Sequence, residues 1–269
     1  MVNLQSKTTK KAPRAKDKSA VKSAVRTLTL FEVFAQQQAP LSLSELARAL
    51  DIPLSSCHGL VGTLQKEGYL YLFGERRQYY PTKRLFGLAT AITSNDLTLE
   101  LLVPHLEALR DRCNETVILG TRQDLAVLYL DVIEGNQTIR YSANAGDIKP
   151  LHSSAIGKAL LGEVDGQELS ATLSRIGQPR ITSNTIVDPK KLTAEIEAGR
   201  RRGYFVTRGE NVADVWAVAR TVRVAGETIG IAIAGPSHRM KEKMAKHIAA
   251  LTHCCATVEE SLHLDAIVS

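Results

Sequence analysis

The sequence predicts an α+β protein: an N-terminal winged helix-turn-helix, then an antiparallel sheet flanked by helices. Three observations carry this. Residues 42–72, SLSELARALDIPLSSCHGLVGTLQKEGYLYL, hold two short amphipathic helices split by a proline-containing turn. Two β-type runs separated by Gly74-Glu75 follow at once. Beyond residue 96, runs rich in β-formers such as VILG and AVLYLDVI alternate irregularly with helical periods.

Taken in order, residues 1–22 read as a disordered leader, rich in Lys, Ser and Thr and almost free of large apolar residues. Residues 23–37 form a first helix with Val25, Leu28, Phe31 and Phe34 as its apolar stripe, stopped by Gln36-Gln37-Gln38-Ala39-Pro40. Ser42 and Glu45 make a capping box that starts the next helix, whose apolar face is Leu43, Leu46, Ala47 and Leu50. Pro53 cannot donate to that helix and biases Ile52 away from helical dihedrals, so the chain turns there. The following helix buries Cys57, Leu60, Val61 and Leu64 and ends at Gly68. Its other face carries Ser55, Ser56, His58, Gly59, Gly62 and Thr63, small and polar groups able to lie close to a second surface. In a helix-turn-helix this second helix enters the major groove. An ordinary helical hairpin would show the same helix pattern, and the hairpin that follows tips the balance. Residues 69–73 and 76–80 form a wing with Arg76 and Arg77 near its tip, a placement suited to phosphate.

Residues 83–96 read as a linker helix with Leu85, Phe86, Leu88, Ala89 and Ile92 apolar. That face serves either a partner chain or its own domain. The second domain spans residues 97–269. Its expected helices are residues 97–113, a helix capped by Ser153 or Ser154 and reaching Leu161, then 167–176, 189–203 and 240–264. Its expected strands are 116–121, 125–134, 138–143, 204–207, 216–224 and 228–234.

The chain has 269 residues, enough for two domains. The formal net charge of +6 is uneven: residues 1–90 hold 14 Lys and Arg against 6 Asp and Glu, and the remainder holds 20 against 22. A basic N-terminal part on a near-neutral body fits nucleic-acid binding. Residues 1–22 supply +6 of that charge, which would equally suit a solubilising tail. No apolar run reaches transmembrane length and the N-terminus lacks the apolar core of a secretory signal, so a cytoplasmic protein is expected. Cys57, Cys113, Cys254 and Cys255 form no C-x-x-C pair and read as buried free thiols rather than a zinc site.

Catalytic signatures are missing from the sequence: it has no G-x-S-x-G elbow, H-E-x-x-H, Walker loop or G-x-G-x-x-G. Ser153 beside His152 invites a hydrolase reading, but adjacent residues rarely form a nucleophile–base pair. Catalytic, metal and cofactor sites are therefore not expected. A winged-helix module without a DNA target is the other alternative, and the wing arginines and basic leader argue against it.

Taken as a set, SAVRTLTLFEVF, the segment at 41–70, YYPTKRLFGLA, ETVILG, GDIKPLHSSAIGKALLG, RRGYFVTRGE and GETIGIAIAGPSHR resemble the IclR family of bacterial transcriptional regulators. The match covers nearly the whole chain after the leader, and PLHSSAIGKALL is its most specific piece. The resemblance implies a winged helix-turn-helix, a linker helix and a GAF-like α/β domain that binds a small effector. It also implies dimers or tetramers on palindromic operators in double-stranded DNA. Two departures stand out. The family usually has an arginine after the His58 position, where Gly59 stands here. Its G-V-x-C-x-A-x-P stretch aligns with residues 214–221, where Ala217 replaces the cysteine and Thr221 the proline.

The candidate DNA-contacting residues are accordingly Ser55, Ser56, His58, Gly59, Thr63, Arg76 and Arg77. For the effector, the loop-helix junction at residues 151–154 offers His152, Ser153, Ser154 and a helix N-terminus that favours a carboxylate. Leu130, Val215 and Ala217 offer apolar walls. A small organic acid is the expected ligand, with an aromatic skeleton as one option. Either serine could instead merely cap the helix, and His152 could pair with the body of the domain. Strand alternation puts Trp216, Val218, Arg220 and Val222 on one face and Val215, Ala217, Ala219 and Thr221 on the other. Arg220 then faces away from the pocket, and Glu210 is expected to shape its loop.

Overall fold

The computed structural model describes residues 20–93 and 97–268. Most of the basic leader, through Ser19, and the end of the linker segment, residues 94–96, lie outside the described residues. The chain divides into two compact units at Asn95/Asp96.

The first unit contains α1 (Lys22–Gln37), α2 (Leu43–Ala49), α3 (Leu54–Lys66), β1 (Leu70–Phe73), β2 (Gln78–Pro81) and α4 (Arg84–Thr93). The capping box is present: the Glu45 backbone N–H donates to Ser42 Oγ at 3.3 Å, and the Ser42 N–H donates to Glu45 Oε2 at 2.7 Å. Gly68 closes the turn after α3 at φ +74°, a region where a Cβ would be strained. Leu30, Val33, Phe34, Leu46, Cys57, Val61, Leu64 and Leu70 share one core. The stripe expected on α1 needs correction. Val25 and Leu28 are 48% and 67% exposed, and the helix turns Leu30, Val33 and Phe34 inward instead. The run VRTLTLFEVF offers apolar residues in both registers, and packing on α2, α3 and the wing selects the second. The wing pairs Leu70 with Pro81 and Phe73 with Gln78, and Leu41 bridges to Tyr79 as a third, single-residue edge. The return strand starts at Gln78, so Arg76 and Arg77 lie in the turn itself, with Arg77 at φ 50°. On α4 no side chain is buried, and Leu85, Phe86, Leu88 and Ile92 are all exposed.

The second unit is a six-stranded antiparallel sheet between two helical layers. Its elements are α5 (Leu97–Cys113), β3 (Thr116–Gln123), β4 (Ala126–Ile133), β5 (Ile148–Pro150), α6 (Ala155–Leu161), α7 (Gly166–Ile176), α8 (Pro189–Arg202), β6 (Phe205–Arg208), β7 (Val215–Val224), β8 (Glu227–Pro236) and α9 (Ser237–Val268). The strand order is β5-β4-β3-β8-β7-β6. α5 and α9 cover one face with Val117, Leu119, Val218, Val222, Ile231 and Ile233 beneath them. α6 covers the other, over Ile118, Val127, Tyr129, Ala217, Ala219, Ala232 and Ala234, with α7 and α8 outside it. No helix among the described residues is long and apolar enough to cross a membrane.

The strand expected at residues 138–143 is not formed. That segment is irregular, and the edge of β4 is taken by β5, with Ala126 opposite Pro150. Side chains satisfy the irregular segment instead. Arg239 donates to Ile139 O at 2.8 Å while its Nε sits 2.5 Å from buried Glu115, and the Thr116 hydroxyl donates to Tyr141 O. All four cysteines are buried and unpaired. Burial pushes the Cys113 and Cys254 thiols up to about 11 and the Cys255 thiol up to about 12.

Candidate DNA-binding surface and ligand cleft

On α3 the apolar positions turn inward, so Ser55, Ser56, His58, Gly59 and Thr63 stand together on the exposed face. Thr63 Oγ1 donates back to Gly59 O at 3.0 Å, which uses the hydroxyl proton within the helix and leaves its lone pairs outward. Pro53 occupies the N-cap and supplies no side-chain cap, so the first-turn N–H groups and the positive dipole end of α3 open to solvent. Arg76 and Arg77 are exposed on the wing turn of the same unit. A Cβ on Gly59 would meet nothing within 4 Å. Gly59→Ala is therefore expected to raise the stability of this unit by about 1 kcal/mol through helix propensity alone. Thermal unfolding checks this, and a lowered melting temperature would mean that Gly59 serves the fold.

The candidate ligand cleft lies between the sheet and the start of α6. Its floor is Ile118, Ala217, Ala232 and Ala234, flat because three of the four side chains are methyl groups. Tyr129, Tyr141, Thr207 and Asn211 bring polar atoms to it, and Ser154, Ala155 and Ile156 bring the first turn of α6. Val212 and Val215 complete the wall. The cleft is open to solvent on one side, and the space within it is about 30 Å³, room for roughly one or two waters. An organic molecule larger than this could be held within the cleft only with part of the wall moved outward.

Of the residues expected at this site, Ser154, Val215 and Ala217 line the cleft and three do not. Leu130 is the first correction. Leu119 pairs with Asp131 and Gly120 with Tyr129, which leaves Leu130 as the extra residue of a bulge. Its side chain packs with the α5 and α9 core on the far side of the sheet. His152 takes the other of its two expected roles: it is wholly buried and its Nε2 lies 2.9 Å from Pro179 O, which ties it to the body of the unit. Burial lowers its pKa, keeping the ring neutral. Ser153 is the second correction. It is wholly buried, and its hydroxyl stands 3.5 Å from Asn211 Oδ1. Ser154 is the N-cap of α6: its Oγ donates to Pro150 O at 2.7 Å and accepts from Gly157 N at 3.1 Å.

The most unusual chemistry nearby is a buried ion pair that was not expected from the sequence. Lys158, on α6, is wholly buried, and its Nζ sits 2.7 Å and 2.6 Å from the two carboxylate oxygens of Glu210. Desolvation lowers the lysine's pKa and raises the glutamate's, each partly offset by the partner's charge. The signal was present: a lone charge in AIGKALLG, with apolar or small residues on every side, has no route to water without a partner. Tyr129, Tyr141 and Asn211 carried no comparable signal, because two of them sit on segments of irregular structure.

The chain matches two family models, described as the IclR helix-turn-helix domain over residues 23–72 and as the bacterial transcriptional regulator IclR C-terminal domain over residues 89–259. It is 27% identical to the acetate operon repressor of Salmonella typhimurium over 235 residues, 86% of each chain. Among solved structures, it resembles the IclR protein of Thermotoga maritima with a TM-score of 0.76 at 23% identity, over 90% of this chain and 99% of that one. It also resembles an IclR homologue from Microbacterium hydrocarbonoxydans complexed with 4-hydroxybenzoate, with a TM-score of 0.71 at 22% identity, again over 90% and 99%.

Proposed function

The chain belongs to the IclR family of bacterial transcriptional regulators, and we propose that it binds an operator through α3 and the wing under control of a small organic acid. It is a DNA-binding regulator with a C-terminal effector-binding domain. One observation carries the DNA-contact reading: α3 presents a polar, small-residue face and an uncapped N-terminus in the unit whose wing turn carries two exposed arginines. Short side chains require close approach to base edges, and Gly59 and Gly62 permit it. The N-terminus of α3 and the two arginines suit phosphate oxygens.

A carboxylate at the start of α6 would meet the first-turn N–H groups of Ala155 and Ile156. The alanine floor suits the flat face of a ring, and the tyrosine hydroxyls and Asn211 suit a polar substituent. The 4-hydroxybenzoate held by one solved relative is a molecule of this kind. The work of the protein is binding, and the hydrolase alternative loses support because His152 and Ser153 are each engaged elsewhere. Palindromic operators call for a two-fold protein, and the exposed apolar face of α4 is the candidate seam.

The test is a gel shift on the promoter DNA next to the protein's own gene, with light scattering of the same sample. A dimer or tetramer that binds this DNA, with affinity changed about 5- to 150-fold by a carboxylate such as 4-hydroxybenzoate, is the expected result. Absence of any shift would favour the protein-interaction alternative. A response only to uncharged ligands would remove the carboxylate reading and leave the regulator assignment standing.

A further inference from the structure

The cleft can enclose a ligand only if its wall yields, and the hydrogen bonds of the wall differ from one part to the next. The floor belongs to three strands of the sheet, β3, β7 and β8, and every residue of α6 is buried. The six residues 209–214, which join β6 to β7, supply Asn211 and Val212 to the wall. This loop is held mainly at its first two residues. Thr182 Oγ1 donates to Gly209 O at 2.6 Å, and Thr185 Oγ1 donates to Glu210 O at 2.7 Å. Beneath them Glu210 reaches into the interior to meet Lys158. In its middle the Ser153 hydroxyl stands 3.5 Å from Asn211 Oδ1, a long contact, and the far end is tied by backbone bonds: Gly209 N to Val215 O at 3.0 Å, Val215 N to Val212 O at 3.0 Å and Ser237 N to Asp214 O at 2.8 Å.

A buried ion pair is a poor choice if the only need is cohesion. Removing two charges from water costs about as much as their attraction returns, and a packed apolar pair often holds a core as well or better. What the pair does supply is register. Both carboxylate oxygens lie within 2.7 Å of one ammonium, so Glu210 can occupy one position over α6 and no neighbouring residue can replace it.

We propose that Lys158 and Glu210 form the pivot about which the Asn211–Val212 wall opens, making both positioning residues for ligand recognition. The inference rests on the cleft being the effector site. With the pivot intact, the wall swings out and returns to the same place, and Asn211 presents its amide to the ligand in one geometry. Without it the loop loses register while the sheet and α6 stay in place.

The deciding variant is the double replacement Lys158→Met with Glu210→Leu, which leaves no unpaired buried charge. Its melting temperature is expected to stay near that of the native protein. Hydrogen exchange at the Gly209, Val215 and Ser237 amides is expected to accelerate at least tenfold, with no change in the amides of β3 and β8. Affinity for 4-hydroxybenzoate, where the native protein binds it, is expected to fall at least tenfold. Unchanged exchange at those three amides in a folded double variant overturns the proposal. Should the double variant fail to fold, Lys158→Met alone, which removes the ammonium and lets the buried Glu210 carboxyl neutralise by taking up a proton, is read the same way: faster exchange supports the pivot and native exchange overturns it. If the native protein binds no carboxylate, the effector reading fails, and the ligand-free exchange measurement still decides whether the pair positions the loop.

Discussion

Gly157→Ala is expected to destabilise the C-terminal unit by more than about 4 kcal/mol, a size reserved for a few mechanisms such as a clash that nothing can relieve. A Cβ at Gly157 would lie 2.7 Å from the carbonyl carbon of Leu151 and closer still to its oxygen. These are backbone atoms, so no rotamer change removes the overlap. Leu151 itself is fully buried, and the first turn of α6 is fixed by the Ser154 cap on Gly157. Relief would require α6 to lift from the sheet, opening the core around Ile156 and Ala159. In a unit of this size such a loss lowers the melting temperature by roughly 10 °C or more. Calorimetry on the purified variant is the measurement. A melting temperature within two or three degrees of native, roughly 1 kcal/mol, would show that the turn at Leu151 adapts easily. The glycine in PLHSSAIGKALL is thus required by space, whereas Gly59 on α3 has open space around it.

The second large effect concerns DNA. Replacing both Arg76 and Arg77 with alanine is expected to weaken binding to every DNA sequence alike. It should also reduce the slope of log affinity against log salt by about 2, one for each phosphate that an arginine no longer neutralises. Alanine at φ 50° carries the same backbone strain as arginine, so the wing turn should persist and the change be electrostatic. Titrations at several salt concentrations, on operator and on unrelated DNA, make the comparison. An unchanged slope would remove the wing from the interface. A weakening confined to operator DNA would mean that the arginines read bases.

The N-terminal unit was legible in the sequence because its signals are local. The Ser42–Glu45 box, Pro53 and Gly68 each act within a turn of the chain, and each does so in the structure. The register of α1 was not legible, since two apolar registers coexist and tertiary packing chooses between them. In the second unit alternation separated the two faces of β7 correctly, with Val215, Ala217 and Ala219 on one side and Trp216, Val218 and Val222 on the other. Leu130 was expected on the cleft wall without that rule; Val127 and Tyr129 face α6, and Leu130, at the bulge beside them, packs with the α5 and α9 core instead. Residues 138–143 misled because whether a β-type run becomes a strand depends on a free edge, and β5 holds that edge. The cleft was located through the helix start at Ser154, while most of its polar groups come from segments that only the fold brings together.

The four buried thiols carry a practical consequence for labelling chemistry. Thiolate is the reactive species toward maleimides, and a thiol at about 11 or 12, as at Cys113, Cys254 and Cys255, exposes on the order of one part in ten thousand or less as thiolate at pH 7. A cysteine placed at exposed Glu75 on the wing turn, with an ordinary value of about 8.5, would present a few per cent. That contrast is about two orders of magnitude or more for these three thiols, and Cys57, raised by burial and wholly inside the first core, is shielded by its packing, which makes a fluorophore at position 75 selective in the otherwise unaltered chain. Wing engagement could then be followed by emission anisotropy without first stripping out the native cysteines.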